Sequence, residues 1–221
     1  MTEPRPFKGI CLGVPIYGFV SSASFSSFIT AIALLSKLAD FFSVSTHVKT
    51  YVHLARRHIA EGILESAKKN EIDYAFWIDG DSVFSEKEIV SLLQAAKQNG
   101  LDIVSGLYVY RMDDSKPIAY VKRGSEWITP SKLPKESLVQ VNSVGFGFTL
   151  VKVSVIQKLV EKYGLEKTFN VVDLDGKDVG EDFLFCQLAE KEGFKVWVHT
   201  GVKVGHDNSI HYPSPKIFEP K

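Results

Sequence analysis

A wholly apolar run, Tyr74-Ala75-Phe76-Trp77-Ile78, ends abruptly in Asp79-Gly80-Asp81. A strand with one wet face alternates apolar and polar residues. A run with no polar position reads instead as a strand buried on both faces, the state of strands in a parallel sheet covered by helices. Open α/β sheets bind ligands just beyond the carboxyl ends of their strands. Asp79 and Asp81 are therefore expected where a ligand would sit. Two carboxylates separated by glycine supply hard oxygen donors suited to Mg²⁺ or Mn²⁺, and such a cation in turn suits phosphate. Asp-Gly-Asp-Ser is also ordinary turn chemistry, so the rest of the chain has to decide.

The flanking segments alternate between strand and helix signals. Ile10 to Ile16 reads as a strand, broken by Pro15 and the Tyr17-Gly18 turn. Ser26 or Ser27 is a candidate cap for a helix running to Phe42, with Phe28, Ile32, Leu35, Leu38 and Phe42 at helical spacing. Val44 to Val48 alternates as a second strand, and His53 to Lys69 forms a second helix with Ala55, Ile59, Ile63 and Ala67 on one face. Beyond the acid pair, Ser85-Glu86-Lys87-Glu88 is a capping box for a helix that stops at Asn99-Gly100, followed by a strand from Leu101 to Tyr110. This order favours a doubly wound α/β sheet.

Residues 111–142 hold short strand-like pieces, Ile118 to Lys122 and Leu138 to Val141, among Pro, Asp and Ser. A glycine-containing strand spans Val144 to Val151. A helix follows from Val153 to Tyr163, another from Glu181 to Glu192, and a last strand from Phe194 to His199. The expectation is one domain over residues 1–221: a mixed, mainly parallel central sheet flanked by helices, with a tail from Asp207.

Charge and cysteine usage exclude several classes. The 221 residues carry 26 basic and 26 acidic side chains, so no broad field attracts nucleic acid or anionic lipid. Cys11 and Cys186 lie far apart in apolar settings and read as buried thiols of a reducing compartment. Met1 to Lys8 is polar and Pro-rich, so no signal peptide is expected there. Its longest apolar stretch, Phe28 to Leu35, falls well short of the ~20 residues of a membrane helix. The expectation is a soluble, cytoplasmic protein with no transmembrane segment.

Four further constellations carry possible chemistry. Gly180-Glu181-Asp182-Phe183 opens a helix with two acids, which the helix dipole favours and which also suits a general base. Val204-Gly205-His206 follows the last strand and offers an imidazole, a common metal ligand. Val144-Gly145-Phe146-Gly147-Phe148 places glycines where a ligand or another element approaches the backbone closely. Arg56-Arg57 near the start of the second helix meets phosphate or decorates a solvated face. The chain has neither a P-loop nor a G-x-G-x-x-G fingerprint. Asp173-Leu174-Asp175-Gly176 fails as an EF-hand, because Lys177 and Asp178 occupy the next ligand and glycine positions.

Taken in order, these residues resemble the GT-A fold of nucleotide-sugar glycosyltransferases, most closely the family 2-like group. The resemblance runs from Val14-Pro15-Ile16-Tyr17-Gly18 through Ala55-Arg56, Phe76 to Asp81 and Asp102 to Tyr108. It continues through Val144 to Phe148 and Gly180-Glu181-Asp182 to Val204-Gly205-His206. It implies sugar transfer from a nucleoside diphosphate donor to an acceptor hydroxyl on a glycan, lipid carrier, protein or small molecule. Residues 1–110 would be the nucleotide-binding half and 111–206 the acceptor and catalytic half. Pro15, Tyr17, Arg56, Asp79, Gly80 and Asp81 would bind the donor. Asp81, Asp79 and His206 would meet Mn²⁺ or Mg²⁺. Gly145, Phe146 and Gly147 would line the acceptor side. Asp182 would be the base of an inverting enzyme, and Glu181 would orient the acceptor. Two alternatives stand beside this. A sugar-nucleotide nucleotidyltransferase usually needs a basic, Gly-rich loop after the first strand, whereas Tyr17 to Ser22 holds no basic residue. A non-catalytic module that binds nucleotide sugar or glycan would not need the acids.

Overall fold

The computed structural model describes residues 4–110, 113–124, 126–174 and 177–207. Asp175 and Gly176, and the tail beyond Asp207, lie outside them. The main elements are β1 (Phe7–Ile16), α1 (Ser22–Leu38), β2 (Ala39–Val48), α2 (Val52–Ala67), β3 (Tyr74–Ile78) and α3 (Glu86–Asn99). After them come β4 (Ile103–Leu107), β5 (Leu138–Val141), β6 (Phe148–Lys152), α4 (Val153–Tyr163), α5 (Glu181–Lys191) and β7 (Val196–Lys203).

The strands form one seven-stranded sheet in the order β5-β7-β4-β6-β3-β1-β2. β1 runs parallel to β2 and β3, and β7 parallel to β4. β6 enters antiparallel between β3 and β4, and β5 pairs antiparallel with β7 at the far edge. The sheet is mixed, as expected. The expected strand Val144 to Val151 splits in two. Ser143–Val144 pairs with Ala119–Arg123 outside the main sheet, and β6 begins only at Phe148.

Helices cover both faces, which is why β3 has no polar position. Tyr74, Phe76 and Ile78 face α1 and α3 in one core, with Phe28, Leu35, Ile89 and Leu92. Ala75 and Trp77 face α2, α4 and α5 in the other, with Ile59, Ile63, Ile156 and Phe185. Gly13 of β1 makes room on that second face, since a Cβ there would stand 2.9 Å from Ile59 and 3.0 Å from Trp77.

Helix ends follow their caps. Ser85 and Glu88 form the capping box of α3, and Gly100 ends it in the left-handed region at φ 60°. α1 differs from expectation. Ser21 is its N-cap, accepting from the Ser24 amide, and the chain passes into β2 at Ala39 rather than continuing as helix to Phe42. Residues from Ala39 to Val48 pair in register with β1. That ladder outweighs the helical spacing of Leu38 and Phe42.

Candidate active site

The site is built on the carboxyl end of β3. Asp79 donates its amide to the Gly147 carbonyl (3.0 Å), Gly80 donates to the Pro15 carbonyl (3.3 Å), and Ser82 donates to the Asp79 carbonyl (3.0 Å). The Ser82 hydroxyl donates to Gly147 as well (2.8 Å). The acidic turn is thus laced to the ends of β1 and β6. Gly80 permits this approach, for a Cβ there would lie 3.2 Å from the Pro15 carbonyl. On its other side the turn pairs with the last described strand: Ser82 opposes His206, and Asp207 donates its amide to the Asp81 carbonyl (2.9 Å).

A cleft of about 440 Å³ opens here, lined by Pro15, Tyr17, Phe19, Asp79, Asp81 and Asp207, among others. A larger hollow of about 700 Å³ lies at the opposite end of the strands, beside Phe7, Asp73 and Tyr74. The acids and the parallel-strand carboxyl ends belong to the former, where ligands of such sheets bind.

Arg56 is the hub of the site and does not decorate a solvated face. It is 2% exposed. Nη2 pairs with Asp79 Oδ1 (2.6 Å), while Nη1 pairs with Glu181 and stands 3.7 Å from Asp182 Oδ2. The guanidinium lies 5.4 Å from the centre of the Phe146 ring. Burial opposes its charge, but Asp79, Glu181 and Asp182 outweigh that and raise its pKa further. Its guanidinium therefore engages carboxylates inside the protein and does not line the cleft. Sequence register held the clue: Arg56, Ile59, Ala60 and Ile63 follow helical spacing and are all buried.

The same network fixes the two acids that open α5. Glu181 is 2% exposed and turned inward to Arg56, a position that removes it from an acceptor arriving from solvent. Asp182 keeps 27% of its side chain exposed. Desolvation, then the neighbouring Glu181 charge, push its pKa up to about 6 against the opposing pull of Arg56. Asp182 Oδ1 also accepts the Phe183 amide (2.8 Å).

At the glycine strand the close approach is made by another element, one of the two alternatives its glycines left open. The Phe146 side chain is fully buried between Trp77 and Phe185, so it cannot touch an acceptor. Gly145 and Gly147 lie beneath Tyr108. A Cβ on Gly145 would meet the Tyr108 hydroxyl at 2.0 Å, and one on Gly147 would meet the ring at 3.1 Å. The Gly147 amide donates to that hydroxyl (3.0 Å). Burial, with Asp79 and Asp182 nearby, holds the phenol well above its ordinary pKa. Tyr108 thus belongs to the site; the sequence placed it at the end of the Asp102 to Tyr108 stretch but gave it no role.

The three expected metal residues are not equivalent. Asp79 is committed to Arg56 through Oδ1, and Asp81 lines the cleft. His206 is buried, with its ring edge-on to Tyr108 at 5.6 Å, and does not line the cleft, whereas Asp207 does. Among the described residues no three His, Cys, Asp or Glu stand close enough to hold an ion by themselves. The donors fit an ion of the Mg²⁺ class all the same. Such ions usually keep several waters and take one or two carboxylates plus substrate phosphates.

With acids from distant parts of the chain gathered around one guanidinium at the strand ends, comparison with known proteins becomes informative. The glycosyl transferase family 2 model matches residues 33–160. The chain belongs to glycosyl transferase family 2. That match covers α2 with Arg56, the D-x-D turn and Tyr108, and stops short of α5. Among solved structures, A197 from STIV shares the fold, with a TM-score of 0.60 at 17% identity over 90% of this chain and 85% of that one. At that identity the likeness bears on fold alone. No curated protein matches this chain. Family 2 membership supports a glycosyl transfer function. No described helix is long and apolar enough to cross a membrane.

Proposed function

We propose that this family 2 protein transfers a sugar from a nucleoside diphosphate donor to an acceptor hydroxyl with inversion, assisted by Mn²⁺ or Mg²⁺. One observation carries the reading: Arg56 joins the donor-side Asp79 to the acids that open α5. Donor and base would thereby be held one guanidinium apart at the ligand-binding edge of the sheet.

The nucleoside would lie in the cleft against Pro15, Tyr17 and Phe19, with Tyr17 79% exposed and open to stacking on a base. The diphosphate would reach Asp81, with Asp207 beside it. A divalent cation shared by these carboxylates and the diphosphate would offset the charge that builds on the leaving group. Asp182 would accept the proton of the attacking hydroxyl. A carboxylate with a pKa near 6 is ionised at neutral pH yet more basic than an ordinary one, as a general base requires. Glu181 and Arg56 would position it. The aromatic rings of Tyr120, Trp127 and Phe183, packed edge to face beside Asp182, would form the acceptor wall. Residues 1–110 would serve the donor and 111–206 the acceptor.

The decisive experiment incubates the protein with a panel of nucleotide sugars and simple glycan acceptors, with and without Mn²⁺, and measures free nucleoside diphosphate. Metal-dependent release that needs Asp182 supports the reading. Tight nucleotide-sugar binding with no release under any condition would replace it with the non-catalytic module.

A further inference from the structure

Every large hydrophobic residue exposed among the described residues lies between Tyr17 and Val52. Tyr17, Phe19, Tyr51 and Val52 border the cleft end of the sheet. The other five, Phe25, Ile29, Ile32, Val44 and Val48, lie on α1 and β2. α1 is therefore apolar on two sides. Phe28, Ala31 and Leu35 face the core, and Phe25, Ile29 and Ile32 form an outward stripe at helical spacing. A helix apolar on both sides is ordinarily covered on both.

β2 is the edge of the sheet. Its ten residues, ADFFSVSTHV, pair with β1 at a constant offset and contain no Lys, Arg, Pro or Gly. Long, regular edge strands usually carry a lysine, a proline or a bulge that blocks further pairing. The opposite edge, β5, is only four residues long. β2 carries one charge, Asp40, at its start, where Arg5 also donates to the Ala39 carbonyl, but Phe41–Val48 has no charge of fixed sign, proline or bulge.

We infer that α1 and β2 form a homodimer interface, in which β2 pairs antiparallel with β2 of a second copy about a two-fold axis at Val44. One axis satisfies both features. A two-fold perpendicular to the sheet places the two β2 strands side by side and the two α1 helices on the same face. α1 runs back over β2, the strand it continues into, so Phe25, Ile29 and Ile32 follow the same edge as Val48 and Val44. About Val44 the register sets Phe42 opposite Thr46 of the partner subunit and Asp40 opposite Val48 of the partner subunit. No like charges meet.

The size is also suitable. Ten strand residues span roughly 33 Å, and a helix of ~10 Å diameter stacked above the strand gives a face on the order of 600 Å² per copy before side-chain relief is counted. Standard stable interfaces bury about 800 Å² per partner. A membrane surface fits less well. Interfacial helices carry several basic residues on the polar face, whereas α1 carries only Lys37. The dimer does not depend on the proposed transfer reaction.

Sedimentation of the full chain from about 1 to 100 µM tests it, a range that spans ordinary dimer affinities. The expected result is a mass that doubles with concentration. Ile29→Lys and Val44→Lys should each weaken association at least tenfold while the circular dichroism of the folded chain stays that of the wild type, and any fall in melting temperature should be no more than the lost association predicts. Val44→Cys adds a check independent of those folds. Residues opposite each other in antiparallel strands have Cα atoms about 4.5–5.5 Å apart, within disulfide reach. A mild oxidant that takes up the two electrons should therefore link Val44→Cys chains in pairs, and Thr46→Cys chains far less. A chain that stays monomeric throughout overturns the proposal, as does a dimer insensitive to both lysines and to the position of the cysteine. A monomer that instead sediments with neutral phosphatidylcholine vesicles would overturn it in favour of a lipid surface.

Discussion

Asp182 is where residue-scale physics makes the sharpest statement. Its folded pKa of about 6 lies above the ordinary carboxylate value, because burial and Glu181 disfavour its charge more than Arg56 favours it. The stability that the protonated form contributes is fully present below about pH 4 and is lost as pH rises through about 6. At neutral pH the ionised group weighs against folding. Asp182→Asn should consequently melt no lower than wild type at about pH 8, and any advantage should vanish near pH 4. If Asp182 is the base, the same variant should lose roughly 10²–10⁴-fold in transfer rate, and the wild-type rate should fall tenfold per pH unit below about 6. A variant that melts lower yet turns over normally would restrict Asp182 to the helix terminus. Arg56 carries the opposite expectation. Arg56→Met leaves Asp79 and Glu181 without their cation, and breaking a buried pair in this way costs about 3–5 kcal/mol. Urea denaturation measures it. Arg56→Lys should recover only part, since a point charge cannot fork between two carboxylates.

Elements place these residues. α2 delivers Arg56 because its buried face takes in Arg56 and Ala60 beside the expected Ala55, Ile59 and Ile63. The strand pieces around Gly145 deliver Tyr108. Gly145→Ala would drive a methyl group into the Tyr108 hydroxyl and toward Ile118, whose Cγ2 would lie 2.9 Å away. Overpacking of this kind costs about 1–3 kcal/mol. Adding Tyr108→Phe should return part of that loss but not all, because Ile118 stays in place. Melting temperatures of the single and double variants decide it. α3 gives a milder case. Ser85→Ala removes the cap that accepts the Lys87 amide and should cost about 1 kcal/mol with no effect on nucleotide binding.

At the scale of the whole molecule, the sheet holds the acid-lined cleft at one end and leaves β2 as a long edge. If the cation is shared between Asp81, Asp207 and the diphosphate, neither metal nor nucleotide should bind tightly alone. Thermal melts should then show a large upward shift only with both present, since a bound ligand stabilises by mass action. Excess chelator should abolish the shift, and Asp81→Ala should remove it too. An equal shift in chelator would leave the D-x-D as a structural turn.

The amino-acid sequence alone carried the local features of this protein. β3 was legible because a strand buried on both faces has no polar positions. α3 and α4 were legible because their stops and caps are written in adjacent residues, Ser85 with Glu88, Gly100 and Gly164. The order of acidic motifs pointed to family 2. Long-range contacts decided the rest. Helical spacing extended α1 to Phe42 because the competing partner, β1, lies some thirty residues earlier and leaves no mark within the window. Arg56 read as a phosphate contact or a solvated charge, and Glu181 as a helix-opening acid that orients the acceptor, because a buried charge is stable only beside its counter-charge, here brought from 125 residues away. Glycines 145 and 147 left a ligand and a packed element as equal alternatives, because the tyrosine that needs their space is contributed by another segment. Short-range steric rules act on neighbours in sequence, whereas charge pairing and close packing act on neighbours in space, and only the folded chain makes those neighbours.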